Sequence, residues 1–293
     1  MRCILLLCLL GLVAARANKA PPSCHRDSNP FTTVTPVWSG RPLDPRGKLR
    51  DWAYDGITPR FTQAIRTHGN DMSVPIHGRG SENPLKMDPF GAGMRISTRY
   101  AYLGGKVCAW LTIPEPTSGT IFGMYLIDVH PKGSERTYTT WREADLEWLG
   151  VKPDMVQTSV FEMGRESPNA QEHNTVGLLN GATQKDPIRY CIEWDLGVPA
   201  AQKFVRFTAK SVSHPDWVVL REWKPSSPEV AAYWDEPLRA IITFWSNNHI
   251  TGWSGPYNIP AGKVLWAHLK DVTFRPKGPA FCPKPDHDLQ PAT

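Results

Sequence analysis

Trp141-Arg142-Glu143-Ala144-Asp145-Leu146-Glu147-Trp148-Leu149-Gly150 is the stretch on which the reading of this chain turns. Side chains alternate along a β-strand, so Trp141, Glu143, Asp145, Glu147 and Leu149 share one face, and Ala144, Leu146 and Trp148 share the other. The second face is apolar and fits a core. The first carries three carboxylates in a row, and like charges side by side on one face repel. An ordinary solvated strand mixes signs or uses Thr and Lys; here aromatic residues flank the acids instead. Such a row suits glycosidic-bond chemistry, in which one carboxylate attacks the anomeric carbon, a second protonates the leaving oxygen, and an aromatic plane stacks on a sugar. The residues alone equally allow a solvated acidic strand or a cation-binding edge.

The spacing sets a condition on the catalytic reading. Glu143 and Glu147 are four residues apart, roughly 13 Å between Cα atoms on a straight strand, whereas a retaining pair needs carboxyl groups about 5–5.5 Å apart. Strand curvature and two inward-leaning side chains must close that gap. Asp145 then sits between them, able to hydrogen-bond one Glu while its field raises the pKa of a neighbouring acid.

Working outward, strand-like runs recur between turn signals: 95–102, 106–113, 120–129, 141–149, 155–162, 189–194, 204–209, 217–223, 239–245 and 264–274. About ten short strands in one uninterrupted body predict an all-β sandwich or jelly roll. The composition agrees, since 28 Pro and 23 Gly among 293 residues interrupt helices and favour turns. With 41% apolar and 21% charged residues the bulk is a globular profile, large enough for one sizeable core. The stretch 60–90, with His68-Gly69-Asn70 and His77-Gly78-Arg79-Gly80, reads as a long polar insertion or surface loop. Residues 18–50 read as a Pro-rich arm, 51–275 as the body, and 276–293 as a Pro-rich tail.

Residues 1–17 have the pattern of a secretory signal peptide: Arg2, an apolar stretch from Cys3 to Ala14, and the small-x-small site Ala15-Arg16-Ala17. Its removal lowers the formal net charge of +5 by two. Neither that balance nor any run of Lys and Arg interleaved with aromatics predicts a nucleic-acid partner, and no segment predicts a membrane span after cleavage. Cleavage also removes Cys3 and Cys8. Cys24, Cys108, Cys191 and Cys282 remain in an oxidising compartment, and of the three possible pairings Cys24–Cys282 with Cys108–Cys191 is expected. The sequence contains no CxxC, HExxH, Walker A or GxSxG pattern, and its nine His are scattered. Zinc sites, phosphate loops and α/β-hydrolase chemistry therefore have no support.

The acidic strand, followed by Trp148-Leu149-Gly150 and preceded by Trp141, resembles the signature strand of glycoside hydrolase family 16. It has the form without an extra bulge residue, as in lichenases, xyloglucan endotransglycosylase/hydrolases and fungal glucan–chitin cross-linking enzymes. Further resemblances follow in order: Gly93-Met94-Arg95, the strand Val156 to Phe161, Tyr190-Cys191-Ile192-Glu193-Trp194, Phe244-Trp245-Ser246-Asn247, Trp253-Ser254-Gly255-Pro256-Tyr257, and Trp266-Ala267-His268 to Phe274. Together they cover about residues 90–275.

The resemblance implies a concanavalin-A-like β-jelly roll of two curved antiparallel sheets. It implies Glu143 as nucleophile, Glu147 as general acid/base and Asp145 as assisting carboxylate, with Arg95, Trp141, Gln157, Trp245 and Trp253 contacting sugar. The expected activity is a secreted, monomeric, retaining endo-β-glucanase acting on β-1,3 or mixed β-1,3/1,4 glucan, with transglycosylation open to the same apparatus. No cofactor is required, and a structural calcium ion, carried by some relatives, has no ligand cluster here. Departures from the family pattern fall at Gly93, Ala144, Ser159, Ile188 and Thr243, and Glu162 is an extra acid. These changed positions favour a rival, a carbohydrate-binding, lectin-like protein on the same fold; a structural wall protein with disulfide-tied tails is a third reading.

Overall fold

The computed structural model describes residues 66–68, 71–77, 94–98, 101–128, 142–162, 170–246 and 251–281. In chain order the strands are β1 (Arg66–His68), β2 (Asp71–His77), β3 (Met94–Ser97), β4 (Gly104–Thr112), β5 (Thr120–Asp128), β6 (Glu143–Leu149), β7 (Met155–Phe161), β8 (Gln171–Asn174), β9 (Ile188–Asp195), β10 (Phe204–Ser211), β11 (Val218–Trp223), β12 (Leu238–Ser246) and β13 (Val264–Lys277). They form a seven-stranded sheet, β1-β2-β13-β4-β9-β10-β11, and a six-stranded sheet, β3-β12-β5-β6-β7-β8. Every pairing is antiparallel. Among the described residues three short α-helices, α1 (Thr175–Leu178), α2 (Pro228–Tyr233) and α3 (Thr251–Ser254), lie in the connections. This is the all-β jelly-roll sandwich expected from the sequence.

The core lies between the sheets and is filled by every second residue of each strand. β5 contributes Phe122, Met124 and Leu126, β6 contributes Ala144, Leu146 and Trp148, and from the facing sheet come Val107, Ala109, Leu111, Tyr190, Ile192 and Trp194. Trp148 joins the layers: its ring meets Phe122 at 5.3 Å on its own sheet and Tyr190 at 4.5 Å on the other, both edge-on. Such contacts add to the area the indole buries. The apolar half of the acidic strand is thus the anchor of that strand in the core.

Both ends of β6 are held as well. At its start the Arg142 guanidinium pairs with buried Asp128 at 2.8 Å and lies 4.0 Å from the Tyr233 ring centroid. At its end Gly150 turns the chain where a Cβ would stand 2.0 Å from the Thr117 carbonyl oxygen, a contact only glycine avoids. The turn into β7 is tied by the buried Gln184 amide, whose Nε2 donates to the carbonyls of Leu149 at 3.1 Å and Lys152 at 3.0 Å. Elsewhere the buried Lys203 ammonium closes α2, donating to the carbonyls of Ala231 and Trp234 at 2.8 and 3.1 Å.

Two expectations need correction. Part of the stretch 60–90 read as a polar insertion is β1 and β2, and β2 lies inside the seven-stranded sheet. Pro75 disguised it, since proline withholds a ladder hydrogen bond. Among the described residues β1 pairs with Asp71 to Ser73, and the cross-strand neighbour of Pro75 is Trp266 of β13, so its missing N–H is tolerated. β8 was also missed, because Gln171-Glu172-His173-Asn174 has no apolar residue to show alternation.

Cys108 and Cys191 are directly opposite on β4 and β9 and form a disulfide, with Cα atoms 4.2 Å apart, as expected. Cys24 and Cys282 lie outside the described residues. Replacing Cys108 and Cys191 together by Ala is expected to lower unfolding stability by about 2–4 kcal/mol, read as a lower urea midpoint, with a steeper slope as the uncrosslinked denatured chain expands.

Candidate active site

The face of the six-stranded sheet turned away from the core carries Glu143, Asp145 and Glu147, as alternation requires. Strand register sorts this face into rows. Glu147 lies opposite Gly123 of β5 and Gln157 of β7; beyond them the row continues to Thr243 of β12 and Arg95 of β3 on one side, and Glu172 of β8 on the other. Asp145 lies opposite Tyr125 and Ser159, and Glu143 opposite Ile127 and Phe161. Neighbouring members of a row are about 4.8 Å apart across the sheet.

The carboxylates act on one another. Asp145 is 4% exposed, and burial together with the negative charges of Glu143 and Glu147 holds its carboxyl well above the ordinary Asp range. It also shares a side-chain hydrogen bond with Glu143. Burial, then the Glu143 charge, pushes the Glu147 carboxyl up to about 8. Burial and mutual repulsion both oppose ionising all three acids together. At neutral pH Glu147 keeps its proton, and a protonated Asp145 is a hydrogen-bond donor to Glu143.

Beside Glu147 runs a hydrogen-bonded chain. Trp253 of α3 donates its indole N–H to Gln157 Oε1 at 2.8 Å, and Gln157 Nε2 donates to Glu172 Oε1 at 3.1 Å. Lys152 binds the same Glu172 oxygen and helps hold that carboxyl below its ordinary range. Trp245 and Trp253 face each other with ring centroids 6.4 Å apart at 40°. Gly123 leaves the position next to Glu147 without a side chain: a Cβ there would meet Thr243 Oγ1 at 2.8 Å.

The structure therefore gathers Glu143, Asp145, Glu147, Gln157, Trp245 and Trp253 on or beside one face, and register brings the Arg95 backbone into the Glu147 row. Trp141 lies outside the described residues. Glu162 is not part of the carboxylate group; it accepts from Trp223 Nε1 and, at 2.9 Å, from Ser226 Oγ. Sequence reasoning missed Gly123, Tyr125 and Glu172. A glycine inside a strand was the available signal for Gly123, but β5 is apolar on both faces and shows no alternation to orient it.

Residues 62–201 match the model of the family described as Glycosyl hydrolases family 16. Over these residues the chain is similar to that family, and the match supports an enzyme of the glycoside hydrolase or transglycosylase kind. No curated protein matches it. Among solved structures it is similar to a prokaryotic β-1,3-1,4-glucanase (lichenase) derived from a mouse hindgut metagenome, at 15% identity and TM-score 0.51, covering 84% of this chain and 92% of that one. A laminarinase from Flavobacterium sp. UMI-01 is similar at 16% identity and TM-score 0.53, covering 75% and 84%. The Crh5 transglycosylase in complex with NAG is similar at 15% identity and TM-score 0.51, covering 75% and 78%. At these identities the likeness is one of fold. The chemistry of the family needs no cofactor, and among the described residues no group of His, Cys, Asp and Glu is placed to hold a metal ion.

The raised Glu147 carboxyl has a consequence for stability. Its pKa in the fold, about 8, exceeds the ordinary value, so folding favours the protonated form. That contribution is fully present at low pH and is lost as pH rises through about 8. Glu147→Gln, which mimics the protonated acid, is expected to melt several degrees above the parent at pH 9 and close to it at pH 4. Thermal melts across that range check the crossover.

Proposed function

We propose that this protein is a secreted retaining endo-β-glucanase that acts by double displacement on β-1,3 or mixed β-1,3/1,4 glucan and passes part of its product to sugar acceptors. The observation that carries this reading is the acidic row itself: Glu143, Asp145 and Glu147 share the outer face of β6, with Asp145 hydrogen-bonded to Glu143 and the Glu147 carboxyl pushed up to about 8.

In the first step Glu143 attacks the anomeric carbon and Glu147 gives its proton to the departing glycosidic oxygen, leaving a covalent glycosyl-enzyme. Forming that ester removes the Glu143 charge, one of the two causes that hold Glu147 protonated. The Glu147 carboxylate, now without its proton, takes one from an incoming water or sugar hydroxyl. The activated oxygen attacks the anomeric carbon, Glu143 leaves as carboxylate, and the configuration is retained. Asp145 donates its hydrogen bond to Glu143 and so eases that departure. The Trp245–Trp253 pair and Gln157 supply stacking and polar contacts for sugar, and Gly123 leaves room for a ring beside Glu147.

The family match supports a β-glucan substrate and an extracellular setting, and the fold shared with a lichenase and a laminarinase supports the linkage class. The fold shared with a transglycosylase favours transfer as a second outcome of the same intermediate.

Azide rescue tests the assignment of roles. Glu143→Ala is expected to lose turnover by orders of magnitude and, with azide and an activated aryl β-glycoside, to yield the α-glycosyl azide. Glu147→Ala is expected to fall roughly 10²–10⁴-fold on unactivated glucan and to yield the β-glycosyl azide. Undiminished turnover of Glu143→Ala overturns the reading. Mass spectrometry of products from mixed-linkage glucan, laminarin, xyloglucan and chitin oligomers identifies the substrate.

The alkaline limb of kcat/KM follows from the same acid. With a protonated Glu147 required in the first step, kcat/KM is expected to fall as pH rises through about 8. A rate profile on mixed-linkage glucan between pH 5 and 10 checks it.

A further inference from the structure

On the far side of the sandwich, the outer face of the seven-stranded sheet has the opposite character. The core takes Val107, Ala109 and Leu111 of β4, so Lys106, Cys108 and Trp110 point outward; Arg189, Cys191 and Glu193 of β9 and Arg206, Thr208 and Lys210 of β10 lie beside them. One row runs Lys270, Trp110, Arg189, Lys210 across four adjacent strands, about 14 Å at ordinary strand spacing. The Lys210 ammonium stands between two indoles, 5.0 Å from the Trp217 centroid and 5.8 Å from that of Trp110. Arg189 lies 5.8 Å from Trp110, and Lys106 5.8 Å from Trp217.

Charge on this face is in surplus. Lys106 pairs with Glu193 at 3.0 Å and Arg189 pairs with Asp271, but among the described residues Lys210 and Lys270 have no ion-pair partner. Apolar surface is exposed beside them: Trp217 is 44%, Val219 56% and Val212 73% exposed. The Cys108–Cys191 disulfide makes a rigid floor between the rows.

We propose that this outer face is a second glycan-binding site, taking an anionic, uronic-acid-bearing polysaccharide chain. Sugar rings stack on the exposed Trp217 indole and the half-buried Trp110, and carboxylates of the chain reach Lys210, Arg189 and Lys270. Charge separates this chain from the substrate of the opposite face. The Glu143 charge on β6 repels a polyanion, while the outer face attracts one, so anchor and substrate are different glycans. Two unpaired cations are few for duplex DNA, whose affinity rests on neutralising many phosphates, whereas indoles seated among cations match a sugar acid.

Affinity electrophoresis of the full chain through gels containing polygalacturonate, neutral pullulan or duplex DNA tests the proposal. The parent is expected to be retarded by polygalacturonate alone, with the effect abolished at about 0.5 M salt. Trp217→Ala combined with Lys210→Gln is expected to bind about tenfold more weakly. Turnover of a short neutral β-glucan oligosaccharide is expected to be unchanged in that variant, which separates this site from the β6 assignment. Absence of retardation of the parent, equal retardation of the variant, or equal retardation by DNA would each overturn it.

Discussion

Everything at this site depends on holding three carboxylates together on one strand face against their mutual repulsion. The restraint comes from the other face of the same strand. Ala144, Leu146 and Trp148 are buried almost completely, and Trp148 bridges both sheets through Phe122 and Tyr190. Sliding β6 by one residue would expose these side chains and bury the acids, so hydrophobic burial fixes the register that electrostatics alone would oppose. Arg142 with Asp128 at one end, and Gly150 with Gln184 at the other, pin the strand along its length. Burial first, and then the repulsion that movement cannot relieve, favour the protonated forms, so Asp145 and Glu147 sit above their ordinary ranges.

The alternation of residues 141–149 made this face legible before any coordinates, because its apolar half and its acidic half differ in every member. The strand-like runs elsewhere lie within a few residues of the observed strands for the same reason: turn residues bound them and β-branched or aromatic residues fill them. Where that contrast fails, the reading fails. β5 is apolar throughout, since a central strand has little solvent on either side, and so Gly123 and Tyr125 could not be assigned to a face. β8 has no apolar residue, and β2 carries a proline, which breaks the strand pattern. The rows that join Arg95, Thr243, Gly123, Glu147, Gln157 and Glu172 are a product of register between six strands, which local patterns along one strand do not contain.

The Cys108–Cys191 pairing illustrates the complementary case. The expected bridge was one of three connectivities, and nothing in the spacing selects it. In the fold the two residues become direct cross-strand partners, with Cα atoms 4.2 Å apart, because β4 and β9 are neighbours in a sheet whose order is not the chain order. The topology that aligns them also places β6 between β5 and β7, flanking the acids with Gly123 and Gln157.

The two faces of the sandwich therefore present opposite electrostatic problems solved by the same core. On the β6 face, charges of one sign are concentrated and partly neutralised by retained protons. On the β4–β9–β10 face, cations are dispersed over indoles and a few acids, which leaves surplus positive charge beside exposed apolar surface. Trp148 and Tyr190, in contact at 4.5 Å, are core residues of β6 and β9, so one packed layer backs both surfaces. A chain held on one face leaves the other open, because the strands that carry the acids and the strands that carry the cations share no edge in either sheet.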